Sequence, residues 1–200
     1  MLIMKYINEN TNINKPELLV PAGDFDCVKV AVQNGADCIY FGADSFSARA
    51  SAKNFSLDEL PDVVKYCKIR NVKTNLALNT LVTDDEFIDA INIAKVAYNC
   101  GVDAFIVQDL GLAKYLISNF PNIEIHGSTQ MSVHNLEGVL ELENLGFSRV
   151  VLSREVPINE IEYIRNNCHI DLEVFIHGAL CISYSGQCLF SSLVGGRSRK

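Results

Sequence analysis

Cys181 and Cys188 bracket the small, polar stretch Ile182-Ser183-Tyr184-Ser185-Gly186-Gln187, and His177 stands four residues ahead of the first thiol. A thiolate acts as nucleophile or metal ligand when it is partly exposed in an electropositive setting, and a short polar loop provides the exposure. Two chemistries follow. Cys181 with His177 would form a nucleophile and its base, whereas both cysteines together would supply half of the four donors that zinc and iron–sulfur sites usually require. No Cys-x-x-Cys pair occurs in the chain, so a metal would draw its other ligands from His177, from another chain or from sequence beyond Lys200. The remaining cysteines read differently. Cys27, Cys67 and Cys100 fall on helical stretches, Cys38 opens an apolar run and Cys168 lies near a helix end, all settings for a small buried hydrophobe.

Other reactive side chains gather behind apolar runs. Asp44, Arg49 and Asn54 follow CIYFG, and Asn75 and Asn79 lie in and after KTNLAL. Gln108 and Asp109 follow AFIV, and His126 through Gln130 close EIHGSTQ. Ser153, Arg154 and Glu155 follow RVVL, and His177 ends DLEVFIH. Arginine is suited to binding a carboxylate through two parallel hydrogen bonds, which makes Arg49 and Arg154 candidate anion anchors, with Asn79, Asp109 and Glu155 as further substrate-binding groups. His126, Gln130 and His177 are candidates for orienting substrate or moving protons. Each has a structural alternative: Asp44 can cap a turn, Asp109 can cap the helix after it, and Glu155 can pair with Arg154 on the surface. Neither G-x-S-x-G nor H-E-x-x-H is present, so the serine-hydrolase and zinc-peptidase routes lack their usual marks.

The elements that would position these groups repeat. Three times a helical stretch ends at Gly, two residues pass and an apolar run begins: Gly35 before Cys38, Gly101 before Ala104, and Gly146 before Arg149. Glycine just past a helix end takes the left-handed conformation without a Cβ clash. Strands are expected to start at Glu17, Cys38, Lys73, Ala104, Glu124, Arg149 and Asp171. Helices between them open at Ser56 with Glu59, at Thr83 with Glu86, and at Pro157. Such alternation gives an α/β fold with a parallel sheet, and the even spacing favours a TIM-barrel-like (β/α) barrel over an open sheet, which would want a G-x-G-x-x-G turn after its first strand. Seven of eight units are accounted for and the closing unit is missing from the expectation. The chain then divides into an N-terminal extension (1–16), a barrel-like domain (17–188) and a truncated C-terminal segment (189–200), with open edges at the first and seventh strands for a partner subunit or a C-terminal region to cover.

Composition sets the outer bounds. In 200 residues, 48% are hydrophobic and 20% charged, and the net charge of −7 excludes a surface that is basic overall. Any nucleic-acid contact must be local, and the short run Gly195-Gly196-Arg197-Ser198-Arg199-Lys200 is read as a solvated tail. The opening MLIMKYINENTNINK lacks the apolar core and cleavage site of a secretory leader, and no apolar run reaches 18 residues. With seven cysteines, an odd number, reduced thiols in a cytoplasmic protein without a membrane span are expected.

The run EVFIHGALCISYSGQC (173–188) closely resembles the signature of the collagenase-like peptidase family, numbered thirty-two among peptidases of unknown type. Supporting segments extend over nearly the whole chain: ELLVPAGDFDCVKVAVQNGADCIYFGAD, then LNTLV, VQDLG, HGSTQMSVHN and LSREV. The resemblance implies a barrel-like N-terminal region and two competing activities. The family was named for proteolysis of collagen-like substrates, yet members similar to this chain hydroxylate RNA or quinones without molecular oxygen. Those members hold a four-iron four-sulfur cluster on four cysteines and draw the hydroxyl oxygen from prephenate. By the resemblance, Cys181 and Cys188 match the first two cluster ligands, and the other pair lies just downstream of where this sequence stops. The ending LFSSLVGGRSRK resembles the branch acting on a cytidine of large-subunit ribosomal RNA, with the transfer-RNA uridine branch close by. The expected function is RNA hydroxylation, the alternatives are a cysteine- or metal-dependent peptidase and a non-catalytic subunit, and the 200-residue chain alone is expected to be inactive.

Overall fold

The computed structural model describes residues 2–4, as backbone, together with residues 15–48, 54–178 and 181–188. Arg49 and the segment 189–200, with its basic run, lie outside the described residues. A short strand β1 (Leu2–Met4) comes first. Then strands and helices alternate as β2 (Glu17–Pro21), α1 (Phe25–Gln33), β3 (Cys38–Gly42), α2 (Leu60–Lys68), β4 (Lys73–Leu78) and α3 (Asp84–Cys100). They continue as β5 (Ala104–Val107), α4 (Leu110–Asn119), β6 (Glu124–Gly127), α5 (Leu136–Leu145), β7 (Arg149–Val151), α6 (Ile158–Asn166) and β8 (Asp171–Val174). All seven expected strands begin at the residues named from the sequence.

Local chemistry explains the boundaries. Gly101 and Gly146 end α3 and α5 at φ of 86° and 95°, and Gly35 follows α1 at 89°. Thr83 opens α3 in a capping box, its N–H and hydroxyl both donating to the Glu86 carboxylate at 3.0 and 2.9 Å. Ser56 donates to Glu59 in the same manner, at 2.8 Å from both N–H and hydroxyl, but α2 starts later than expected, at Leu60. Pro61 explains the delay: having no N–H to give an earlier carbonyl, it fits only the first turn of a helix.

Strands β2 to β8 pair in chain order, every pair parallel. β1 runs antiparallel to both β2 and β8, with Ile3 opposite Glu17 on one side and Glu173 on the other, and so closes the barrel. The seam where an eighth unit was missing is thus spanned by a strand from the stretch read as an N-terminal extension. β2 and β8 are not open edges. A crossover helix is required only between parallel neighbours, so a strand entering from outside the alternation can run the other way.

One face of each strand packs on the helices. Ile39, Phe41, Leu76, Leu78, Phe105 and Val107 join residues such as Val28, Leu60, Val63, Ala94 and Leu112 in one buried layer. Their alternates point inward. Leu19, Cys38 and Tyr40 form a small apolar cluster there, and the buried polar residues Asn75, His126, Arg149 and Glu173 share the interior. Among the described residues no helix is long and apolar enough to cross a membrane.

Candidate functional site

The cysteine loop is built on a tight turn. The Gln187 N–H donates to the Tyr184 carbonyl at 3.0 Å, and Gly186, at the third position of the turn, has φ of 78°. The turn leaves Cys181 exposed on its N-terminal side and Cys188 half-buried immediately after it. None of the seven cysteines is in a disulfide.

Two barrel loops hold this turn. From the loop after β7, the Arg154 N–H and Nε donate to Ser185 Oγ at 3.1 and 3.2 Å, and its Nη2 donates to the Ser183 carbonyl at 3.3 Å. Glu155 Oε1 accepts from the Ser185 N–H at 3.0 Å. From the loop after β6, Ser132 Oγ donates to the Ser185 carbonyl at 2.8 Å and accepts from Gln187 Nε2 at 2.9 Å. Ser185 is consequently buried although its neighbours Ile182 and Tyr184 are exposed. Gly186 is required by proximity as well as by φ: a Cβ there would meet Ser132 Oγ and stand 2.6 Å from the Gln130 carbonyl oxygen.

His134 lies in the same cluster. Its Nδ1–H donates to the Ser132 carbonyl at 2.7 Å, with Ser153 Oγ 3.3 Å away, and its Nε2 is 3.6 Å from Glu155 Oε2. The Tyr184 ring stands edge-on to the imidazole, centroids 6.2 Å apart. For Glu155, partial burial pushes the carboxyl up, but hydrogen bonds from its own and Ser185's backbone and side chain, with the Arg154 charge, outweigh it and hold the group below its usual range.

The sequence-derived candidates separate into three places. Arg154, Glu155, Gln130, Cys181 and Cys188 come together around the turn. Gln130 reaches it through its backbone, and its carbonyl also accepts from Gln108 Nε2 at 3.3 Å. Asn79 lies alongside, its Oδ1 accepting from the Ala48 N–H at 2.9 Å and its Nδ2 donating to Ser128 Oγ at 3.3 Å, which ties the loop after β3 to the one after β6. His177 is exposed between β8 and the turn. Asp109 caps α4, accepting from the Leu112 N–H at 2.8 Å.

His126 sits elsewhere. It occupies the middle of β6 inside the barrel, 1% exposed, and its Nε2–H donates to Glu124 Oε2 at 3.0 Å. Burial pushes its pKa down and keeps the ring neutral, while the bond from His126 pushes the Glu124 carboxyl down to about 2. Opposite, Arg149 of β7 reaches Glu17 of β2 at 2.9 Å and Asp171 at 3.4 Å. β2 and β7 are not sheet neighbours, so that bond crosses the interior. This ionic layer lies toward the N-terminal ends of the strands, away from the mouth. Sequence reasoning missed Ser132, His134, Ser185 and Gln187 as site residues; for His134 the available signal was its place in HGSTQMSVHN, just past a strand end.

The turn can present two thiols from a held backbone, with Arg154, Glu155 and His134 as neighbouring charged and hydrogen-bonding groups. Among the described residues no three His, Cys, Asp or Glu side chains gather into a metal site. A sequence model described as Peptidase family U32 matches residues 23–200. The chain is 40% identical over 182 residues to the 23S rRNA 5-hydroxycytidine C2501 synthase of Escherichia coli, covering 91% of this chain and 27% of that protein. It is 39% identical over 186 residues to an uncharacterized protease, MJ0090, of Methanocaldococcus jannaschii (90% and 45% covered), and 34% identical over 183 residues to tRNA hydroxylation protein P1 of Bacillus subtilis (92% and 43% covered). The chain therefore spans between about a quarter and under half of the length of these relatives. Among solved structures, the U32 peptidase Mk0906 superposes with a TM-score of 0.69 at 15% identity, covering 84% of this chain and 72% of that one. That likeness concerns the fold.

Proposed function

The chain belongs to peptidase family U32, and from that membership we propose that the protein hydroxylates RNA, at a pyrimidine of ribosomal or transfer RNA, without molecular oxygen. The observation that carries the reading is the similarity to two proteins named for RNA hydroxylation over more than nine-tenths of this chain. Cys181 and Cys188 are proposed as two of the four ligands of a four-iron four-sulfur cluster. The donor set present fits half of such a site: two thiols seven residues apart, one exposed and one half-buried, on a turn fixed to the barrel. The other two ligands must come from outside the described residues. When bound, the cluster supplies one-electron steps that no side chain can.

The barrel's own residues then have positioning roles. Arg49 is proposed to anchor the carboxylates of prephenate, the proposed oxygen donor. Gln130, whose carbonyl adjoins Gly186, and the exposed His177 are proposed to orient substrate. Net charge of −7 makes the RNA contact a local one.

The test is iron and acid-labile sulfide per chain on protein from the complete reading frame, purified without oxygen, together with nucleoside mass spectrometry of RNA from cells lacking the gene. About four irons, lost with Cys181→Ala, and a missing hydroxylated pyrimidine restored by the gene support the proposal. An iron-free protein and unchanged RNA would remove it. The hydrolytic alternative has one observation in its favour, the exposure of both His177 and Cys181, and it predicts peptide cleavage abolished by thiol alkylation.

A further inference from the structure

We propose that Arg154 and Glu155 are positioning residues that fix the cysteine turn to the barrel mouth, and thereby set where the Cys181 and Cys188 sulfurs stand, rather than groups that bind substrate. The inference rests on the reading of those cysteines as cluster ligands, and it concerns residues whose types alone marked them as anchors for an anionic ligand.

Arg154 directs its backbone N–H and Nε to one oxygen, Ser185 Oγ, and its Nη2 to the Ser183 carbonyl. A guanidinium oriented in this way spends its Nε/Nη2 side on the turn, so the orientation of the group is set by Ser183 and Ser185, and only the Nη1/Nη2 end is left for any other acceptor. Glu155 completes the grip by accepting from the Ser185 N–H with one oxygen while the other faces His134. Every polar atom of Ser185 is therefore held: N–H by Glu155, Oγ by Arg154, carbonyl by Ser132. Ser185 is 2% exposed in a loop whose flanking side chains are open to solvent, as expected for an anchor point.

The placement fits the need. Two cluster ligands must hold their sulfurs at a set separation, yet Cys181 and Cys188 belong to no strand or helix. Backbone without a ladder keeps one geometry only if other groups satisfy its donors and acceptors. Arg154 and Glu155 are adjacent in sequence and leave β7 from the barrel's rigid frame, so they transmit its position to the turn. Gly186 serves the same purpose sterically, since only a residue without Cβ lets the turn approach the Gln130 carbonyl.

The experiment compares wild type, Arg154→Ala, Glu155→Ala and Glu155→Gln in the protein from its complete reading frame. Hydrogen exchange at Ser185 and Gln187, measured on iron-free protein, reports the grip alone; iron content and the electron paramagnetic resonance spectrum of reconstituted protein report its consequence. Loss of a hydrogen bond to a charged group should speed exchange at least about tenfold in both alanine variants, and Glu155→Gln, which keeps the acceptor, should restore most of the protection. The alanine variants should also bind less iron or give shifted spectra. Gly186→Ala should reproduce the exchange change while leaving both charged residues in place. Unchanged exchange in the alanine variants overturns the proposal, as does faster exchange with wild-type iron and spectrum. If wild type itself binds no iron, the cluster reading fails and the role toward sulfur placement with it, whereas the exchange data still establish or refute the grip.

Discussion

Inside the barrel, Glu173 is 0% exposed, and both its carboxylate oxygens lack a hydrogen-bond partner among the described residues. Burial pushes its carboxyl up to about 8, against the pull of Arg149, and the nearby charge of Glu17 adds to the rise. The ordinary value is 4.5, so between pH 4.5 and 8 the folded chain keeps a proton that the unfolded chain releases. The stability tied to this group is complete below pH 4.5, declines as pH rises and is gone above about 8. Glu173→Gln keeps the shape and removes the titration. The variant should gain on the order of 2–4 kcal/mol over wild type at pH 8 and little at pH 4.5, read from urea unfolding at several pH values. Equal slopes of stability against pH would show that Glu173 is solvated in the folded protein. Glu124 works in the opposite direction. His126 pushes it down to about 2, so its contribution is present above pH 4.5 and lost as pH falls toward 2. Neither behaviour was legible in the sequence, where His126 reads as a strand-terminal group; what decides its state is its burial, Glu124 two residues before it, and Arg149 and Glu17 from β7 and β2.

At the scale of elements, local chemistry carried most of the information. The Gly35, Gly101 and Gly146 junctions and the Thr83 capping box appear where the residue types require them, because glycine, threonine and glutamate act on backbone within four residues. What failed to show was non-local or too short: Leu2-Ile3-Met4 offers three residues, too few for a period, and its partners lie 14 to 16 positions away in β2 and 168 to 172 away in β8. The mouth behaves similarly. Arg154 and Glu155 are visible as charged residues behind a strand, but whether they face substrate or chain depends on Ser185, thirty residues on. Gly35 isolates backbone strain from crowding. Gly35 has φ of 89° and nothing within 4 Å of where a Cβ would be, so Gly35→Ala should cost about 1–2 kcal/mol by conformation alone, seen as a lower urea midpoint with unchanged slope. A cost near zero would show that α1 ends differently in solution.

For the molecule as a whole, closure decides whether the mouth is one surface. The parallel strands supply the loops that hold the cysteine turn, from β6 and β7, while the turn itself leaves β8, whose far side pairs with β1. If β1 were absent, the edges of β2 and β8 would carry unpaired backbone groups and invite pairing with other chains. Ile3 is opposite Glu17 and Glu173 at once, so Ile3→Pro places a residue without an N–H, and with fixed φ, at the centre of both ladders. The expected result is a loss of about 1–3 kcal/mol in unfolding free energy and the appearance of dimers or larger species in light scattering. The exchange protection of Ser185 should fall as well, because β8 is the stem from which the turn is presented. An Ile3→Pro protein that stays monomeric and equally stable would mean that β2 to β8 hold the barrel without β1. In that case the seam between β2 and β8 would be a free surface, and the turn's geometry would rest on Arg154, Glu155 and Ser132.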